Sequence, residues 1–479
     1  MRQQESRVVL TSSGPVQGIR LAVREREVDA FLGIPYAKPP LGPLRFQKPE
    51  PADAWTETRS VKKFPKRSIQ KNLFFLDRWL KGPCSEDCLQ LNVWTPTWNV
   101  PGKEGFAVMV YIHGGGYVMD GTVTYGSKGI AKYLVTKDVI VVTVQYRLGF
   151  LGFFTTGDSA CPGNLGLWDQ TAALRWVQEN IGAFGGDKGN VTLFGQSAGG
   201  ASVHLLTLSP HSNNLFARVC PLAGNAAAHW AVNPECRVHC RKKAKELGIL
   251  TKKTAEQMAM LRELPASKLP ASPIPKPEER SDQHTLDITP VIDGDFLPEP
   301  VAVLRKKTPA KPMLIGICRL ECLLFMAFGN LKPTIVEIRG ILAEMLPEGV
   351  NGEEKEKLIE QLIPLFLPEN HDKLGEKQLS RAYIEALSDL MFNTSTLETI
   401  KDNVHNASPA PVYSYIFDHV NPKSFGLFGF KFPFKESTHC TELAYLFGKG
   451  IIFNFSFSED DKKMADLFSS AFTNFAKYG

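Results

Sequence analysis

One serine of this chain lies in a segment that is typical of a catalytic nucleophile. Residues 195–199 read Gly-Gln-Ser-Ala-Gly, with Ser197 at the centre. The segment follows a strand-like run, Val191–Phe194, and precedes a helix-like run, Ala201–Leu206. A sharp turn between strand and helix exposes the serine hydroxyl near a helix N-terminus, which favours developing negative charge. The flanking glycines allow that turn to close. We therefore predict that Ser197 is the nucleophile of an acyl transfer.

A glycine-rich loop provides the donors that such an attack needs. Attack on an ester carbonyl creates an oxyanion, which preorganised N–H groups stabilise. Residues 113–117 read His-Gly-Gly-Gly-Tyr and directly follow the strand-like run Phe106–Ile112. Consecutive glycines let backbone N–H groups approach an oxygen, and Ala198, directly after the nucleophile, supplies a further N–H. The pattern predicts an oxyanion hole, in which His113 structures the loop.

The residue types alone leave the general base open. In hydrolases with this kind of turn, the acid and then the histidine follow the serine in the chain. His439 lies in a polar turn ahead of an amphipathic segment. His419 lies just after a predicted strand, Val412–Phe417, and is the alternative.

The acid of the triad is open in the same way. Glu321 comes just after a predicted strand that ends at Cys318, and active sites gather where parallel strands end. Asp293 is the alternative, although its Asp-Gly sequence is also a common turn.

Apolar runs indicate the elements that position these residues. Continuous β-branched runs are typical of strands buried on both faces, as in a parallel sheet. Four such runs are Phe106–Ile112, Val139–Gln145, Val191–Phe194 and Pro312–Cys318. A helical pattern, Leu167–Ile181, lies between the second and the third. The alternation predicts an α/β fold with helices covering a mostly parallel sheet.

Composition limits the class of protein. The 479 residues are 43% hydrophobic and 22% charged, with a net charge of +5, which is normal for a globular protein and argues against a nucleic-acid partner. We expect one domain, residues 1–479, and no membrane span, because no apolar run reaches the length that a bilayer requires. Nine cysteines lack zinc spacing, and we expect neither a metal nor a cofactor.

The N-terminus bears on the compartment. It begins Met-Arg-Gln-Gln-Glu-Ser and has no apolar stretch of the kind a signal peptide carries. The encoded chain is therefore predicted to be cytoplasmic, with mostly reduced thiols. If a leader has been lost, a secreted or ER-lumenal protein is expected, and four Asn-x-Ser/Thr sequons then become relevant.

The chain resembles the type-B carboxylesterase/cholinesterase family of the α/β-hydrolase fold over essentially its whole length. Within that family it is most similar to invertebrate gut-type carboxylesterases. The matching blocks, in chain order, are Phe31–Ala37, Glu86–Val93, His113–Tyr117, Asn164–Gln170, Phe184–Asp187 and Phe194–Gly200. The resemblance implies a large, mostly parallel central sheet with helices on both faces.

The resemblance also implies roles for individual residues. It makes Ser197 the nucleophile, Glu321 the acid and His439 the base. The oxyanion hole then consists of Gly115, Gly116 and Ala198. Two structural ion pairs are implied as well, Arg45–Glu86 and Arg147–Asp169.

Several positions depart from the family pattern. Gln196 stands where most members carry Glu, and Asn225 replaces the second serine of a Ser-Gly-Ser segment that contacts the acid. Ser68 takes the place of the cysteine that pairs with the Cys88 position, so that disulfide is not expected. The family continues past Gly479, and we expect this chain to be short at its C-terminus.

The predicted function is hydrolysis of neutral carboxylic esters, with a small-molecule ester as the partner. The sequence does not indicate an oligomeric state. Hydrolysis of choline esters is one alternative, since Trp79 lies near the place of a cation-binding tryptophan. Gln196 weakens that alternative because it brings no negative charge. A non-catalytic adhesion or binding homologue is the other alternative, although all triad positions are filled.

Overall fold

The structure is a computed structural model that describes residues 4–72, 81–99, 104–272, 284–326, 333–347, 349–368 and 374–479. Trp79 lies outside these ranges. The strands are β1 (Glu5–Thr11), β2 (Gly14–Val23), β3 (Arg26–Pro35), β4 (Arg59–Ser60), β5 (Gln90–Pro96), β6 (Phe106–Ile112), β7 (Val139–Val144), β8 (Gly186–Gln196), β9 (Arg218–Leu222), β10 (Met313–Cys318) and β11 (Val412–Phe417).

These strands form an 11-stranded sheet. Its order is β1-β2-β3-β5-β7-β6-β8-β9-β10-β11, and β4 pairs with β2 beside this path. Neighbours from β7 through β11 in this order pair in parallel, whereas those from β1 to β7 pair antiparallel. The sheet is therefore mixed, and its parallel half contains all four predicted apolar runs.

Helices connect the strands and cover the sheet. They are α1 (Lys128–Tyr133), α2 (Gly149–Phe153), α3 (Leu165–Asn180), α4 (Ala198–Leu208), α5 (Cys236–Glu246), α6 (Thr254–Glu263), α7 (Val301–Lys307), α8 (Leu323–Met326), α9 (Ile335–Glu344), α10 (Gly352–Phe366), α11 (Glu376–Ser388), α12 (Thr394–Val404), α13 (Leu443–Phe447) and α14 (Glu459–Tyr478). A π-helix, Asp389–Asn393, joins α11 to α12.

Both faces of the sheet are buried. Every residue of β6 is buried, and its side chains alternate between two hydrophobic clusters. Val110 belongs to the cluster that includes Leu167 of α3 and Leu205 of α4. Tyr111 belongs to the opposite cluster, which includes Phe472 of α14. This arrangement confirms the predicted α/β-hydrolase fold with helices on both faces.

The parallel strands bring the predicted chemistry to one edge. Strands β6, β8, β9 and β10 are successive parallel neighbours, so their carboxyl ends meet at the same side of the sheet. The glycine loop follows β6, Ser197 follows β8 and Glu321 follows β10. Ligands of open α/β sheets bind at this side.

Candidate active site

Ser197 lies at a strained turn between β8 and α4. Its backbone has φ 59° and ψ −128°, a conformation that residues with side chains seldom adopt. The Ser197 N–H donates to the Leu222 carbonyl at 2.8 Å, which ties the turn to β9. A β-carbon at Gly199 would lie 2.1 Å from the Ile112 carbonyl oxygen, and one at Gly195 would lie 2.5 Å from the Gly199 oxygen. Only glycine fits at either position, so the local sequence enforces the turn.

The glycine loop packs directly against this turn. A β-carbon at Gly114 would lie 2.4 Å from the Gln196 carbonyl oxygen. Gly115 and Gly116 have φ values of 96° and 58°, which glycine adopts at little cost. Within the described ranges, the N–H groups of Gly115, Gly116 and Ala198 donate no hydrogen bond. Three donors therefore remain available beside Ser197.

His113 supports the loop from behind. Its ring is fully buried, stacks on Tyr146 at 4.5 Å between centroids, and places Nδ1 3.0 Å from the Gly114 carbonyl oxygen. Burial lowers the pKa of His113, which favours the neutral ring. This environment agrees with the predicted structural role for His113.

His439 and Glu321 form a buried pair. Nδ1 of His439 lies 2.6 Å from Oε2 of Glu321, and the His439 N–H donates to the Glu321 carbonyl at 3.2 Å. The second carboxylate oxygen accepts the N–H of Cys318 at the end of β10. Both side chains are almost completely excluded from solvent. Glu321 thus orients the ring and favours a tautomer with the proton on Nδ1.

The alternative acid and base serve other parts of the fold. His419 contacts Asp461 of α14, with 2.9 Å between Nε2 and Oδ1. Oδ1 of Asp293 accepts the N–H groups of Asp295 and Leu297, which closes a turn. The structure brings neither residue to the turn that carries Ser197.

Gln196 makes a contact that the sequence did not reveal. Its amide nitrogen lies 3.1 Å from Nε2 and 3.4 Å from Nδ1 of His439. An approach in the ring plane at these two distances would overlap Cε1, so the amide lies against the face of the imidazole. Within the described residues, Ser197 Oγ donates no hydrogen bond to His439. Catalytic hydrogen bonds of this kind often form only when substrate is bound.

Two aromatic rings also pack against His439. Phe392 and Phe325 lie 4.8 Å and 5.4 Å from its ring, between centroids. Phe392 belongs to the π-helix, and Trp230 packs against it and donates its indole N–H to the Met391 carbonyl at 2.7 Å. These rings were not predicted, because single aromatic residues in helices carry no distinctive pattern. They form an apolar wall beside the candidate site.

The departures from the family pattern have clear structural consequences. Asn225 accepts from Thr399 at 3.0 Å and donates to Ser395 at 3.2 Å, so it contacts α12 and not Glu321. The Ser68 hydroxyl lies beside the Cys88 thiol, and all nine cysteines are free thiols.

The implied ion pairs are confirmed. Arg45 and Arg147 each make a two-pronged contact with a carboxylate, Glu86 at 2.6 Å and Asp169 at 2.8 and 2.6 Å. All four side chains are largely buried, and the pairs anchor loops near the sheet.

The described ranges contain no candidate metal site and no candidate membrane span. No group of three or more His, Cys, Asp or Glu side chains there could hold a metal ion. None of the helices in those ranges has both the length and the apolar character needed to cross a bilayer.

The chain belongs to the carboxylesterase family, whose model matches residues 5–479. Esterase cest-33 of Caenorhabditis elegans is 38% identical over 100% of this chain and 86% of its own length. Gut esterase 1 of Caenorhabditis briggsae is 32% identical over 98% of this chain and 84% of its own length. Human carboxylesterase 3 is 33% identical over 98% of this chain and 82% of its own length. The predicted family, with its likeness to invertebrate gut esterases, is confirmed.

Proposed function

We propose that the protein hydrolyses neutral carboxylic esters through an acyl-enzyme on Ser197. The observation that carries this proposal is the buried Glu321–His439 pair, 2.6 Å between Oε2 and Nδ1, at the same sheet edge as the strained serine turn. Strain at a non-glycine residue persists where the surrounding structure enforces it, and such sites are often functional.

The proposed reaction has two steps. His439 accepts the Ser197 proton through Nε2 as the hydroxyl oxygen attacks the ester carbonyl. The N–H groups of Gly115, Gly116 and Ala198 stabilise the oxyanion, and His439 then protonates the departing alcohol. Water, activated by His439, releases the acid from Ser197. Glu321 stabilises the imidazolium in both steps.

The first step needs a small rearrangement. Ser197 Oγ must reach Nε2, which the Gln196 amide contacts at 3.1 Å in this structure. We infer that a bound ester and the oxyanion loop draw the hydroxyl toward the ring. Each step uses only side chains and backbone groups of this chain, together with water.

The preference for neutral esters rests on Gln196. A carboxylate beside the nucleophile would attract a cationic alcohol group, and the amide of Gln196 cannot. Choline esters are therefore expected to be poorer substrates than neutral esters of similar shape.

A serine-to-alanine pair tests the proposal. The purified protein should hydrolyse p-nitrophenyl butyrate, and Ser197→Ala should lose at least about a thousandfold in kcat/KM because the nucleophile is gone. The matched control is Ser414→Ala, which removes an exposed hydroxyl on β11 and should keep full activity.

A fluorophosphonate probe gives a second readout. It should label the unmodified protein and not Ser197→Ala. A protein that neither hydrolyses esters nor reacts with the probe would instead be a non-catalytic binding homologue, and the proposal would be wrong.

A further inference from the structure

A second buried carboxylate lies next to the Glu321–His439 pair. Glu442 follows His439 by three residues, at the start of α13, and is 1% exposed. Its Oε2 accepts from the Cys318 thiol, with 2.8 Å between the sulfur and oxygen atoms. Its Oε1 is buried and has no hydrogen-bond partner in the described part of the chain. The reaction proposed above gives Glu442 no role.

No lysine or arginine is among the groups that act on the charge of Glu442 in the described part of the chain. The titratable groups that face it are Cys318 and Glu321 from the end of β10, Tyr415 from β11, Tyr111 from β6, and His439 and Cys440 from its own segment. The Tyr415 hydroxyl is itself buried without a partner in the described residues.

Such surroundings favour a protonated carboxyl. A buried carboxylate without a cation is costly, and a second carboxylate nearby adds repulsion. Burial, followed by the charge of Glu321, accordingly raises the pKa of Glu442 to about 7. The Cys318 thiol and His439 act in the opposite direction and are outweighed.

We propose that Glu442 is a positioning residue that holds a proton in the resting site and, once ionised, strengthens the stabilisation of protonated His439. This proposal rests on the proposed esterase function. As pH rises, the Glu442 proton leaves to solvent, and no proton passes from Glu442 to the substrate.

The effect of Glu442 on the reaction follows from the negative charge that it carries once it is ionised. His439 becomes a cation in each step, and an ionised Glu442 adds a negative charge near it beyond that of Glu321. Gln196, which touches the same ring, adds no charge. The ionisation of Glu442 is therefore expected to raise kcat at pH values above neutrality.

Glu442→Gln tests this prediction, because glutamine matches the neutral carboxyl in shape and cannot ionise. The measured quantity is the ratio of kcat between unmodified protein and variant, from about pH 5.5 to 9, in which the rate factors that the two proteins share cancel. We expect the ratio to lie near one at low pH and to rise about three- to tenfold through neutrality. A ratio that stays constant with pH would overturn the proposal.

Glu436→Gln is the matched control. Glu436 precedes His439 by three residues, is partly exposed and pairs with Arg381. Its replacement should leave the ratio near one at every pH, because a partly exposed charge is screened by solvent.

An infrared titration distinguishes a failure of the Glu442 proposal from a failure of the proposed esterase function. A protonated buried carboxyl gives its own carbonyl band, which should be present at pH 5.5 and disappear through about pH 7 in unmodified protein and in Ser197→Ala. Absence of a titrating band would overturn the role of Glu442 even if Glu442→Gln does not fold. A titrating band in a protein without ester hydrolysis would overturn only the esterase function.

Discussion

His439 is held by three kinds of contact. Glu321 fixes Nδ1 by a hydrogen bond, the amide of Gln196 lies against one face, and Phe392 and Phe325 enclose the ring. Only one of these contacts brings a full charge to the ring. The neutral Gln196 therefore sets this site apart from one with a carboxylate before the nucleophile.

Gln196→Glu should move the substrate preference toward cations. The added carboxylate attracts a quaternary ammonium, so the ratio of kcat/KM for acetylthiocholine to that for its uncharged dimethylbutyl analogue should rise about three- to tenfold. Gln196→Met, which is neutral and of similar size, should leave that ratio unchanged. An unaltered ratio in the glutamate variant would show that Gln196 does not face the alcohol group.

The sequence predicted the local parts of the site better than the distant ones. Ser197 and the glycine loop are recognisable because strand, turn and glycines are adjacent in the chain. The pair Glu321–His439 is separated by 118 residues, so residue types alone left His419 and Asp293 open until the resemblance was used. Nothing in the residue pattern indicated that the Gln196 amide lies against the His439 ring or that the Cys318 thiol donates a hydrogen bond to Glu442.

The turn that carries Ser197 depends on glycines that leave no space for a methyl group. Gly199 packs against the Ile112 carbonyl, so β6 and α4 are in contact through backbone atoms. The strand boundaries agree with prediction to within a residue or two where runs are buried on both faces, as at β6 and β7. The π-helix Asp389–Asn393 was not predicted, because one inserted residue leaves the helical composition unchanged.

Gly199→Ala should destabilise the fold and abolish hydrolysis. The new methyl group would meet backbone at 2.1 Å, which the turn cannot relieve, and we expect a loss of about 3 kcal/mol in urea unfolding. Gly340→Ala is the control, because nothing lies within 4 Å of that position in α9. It should instead stabilise the protein by about 0.5–1 kcal/mol. Equal effects of the two substitutions would contradict the packing argument.

At the scale of the molecule, α14 covers one face of the sheet, and the buried carboxylate of Asp461 helps to anchor its first turn. Asp461 accepts from His419 after β11, from Tyr445 of α13, from Asn421 and from Ser458 at the helix start. Burial opposes the charge of Asp461, but the hydrogen bonds outweigh it and lower its pKa.

Asp461→Asn should lower the free energy of unfolding at pH 7 by about 2 kcal/mol, because hydrogen bonds to a charged acceptor are lost. A lowered folded-state pKa contributes stability above the unfolded-state value, 3.8, and loses it as pH falls further. The difference in the free energy of unfolding between the unmodified protein and Asp461→Asn should therefore narrow only below about pH 4. Asp460→Asn, at an exposed position of the same turn, should cost less than 0.5 kcal/mol. Similar losses for both would contradict the anchoring role.

The positions of the site residues along the chain also set when the proposed site is completed during synthesis. The turn with Ser197 and the glycine loop emerge first, Glu321 comes later, and the histidine follows it by 118 residues. A growing chain thus contains Ser197 before the residue that we propose as its base, and contacts between such distant segments form slowly. In the proposed mechanism, an unfinished chain therefore cannot hydrolyse esters until the segment that carries His439 has folded against the sheet.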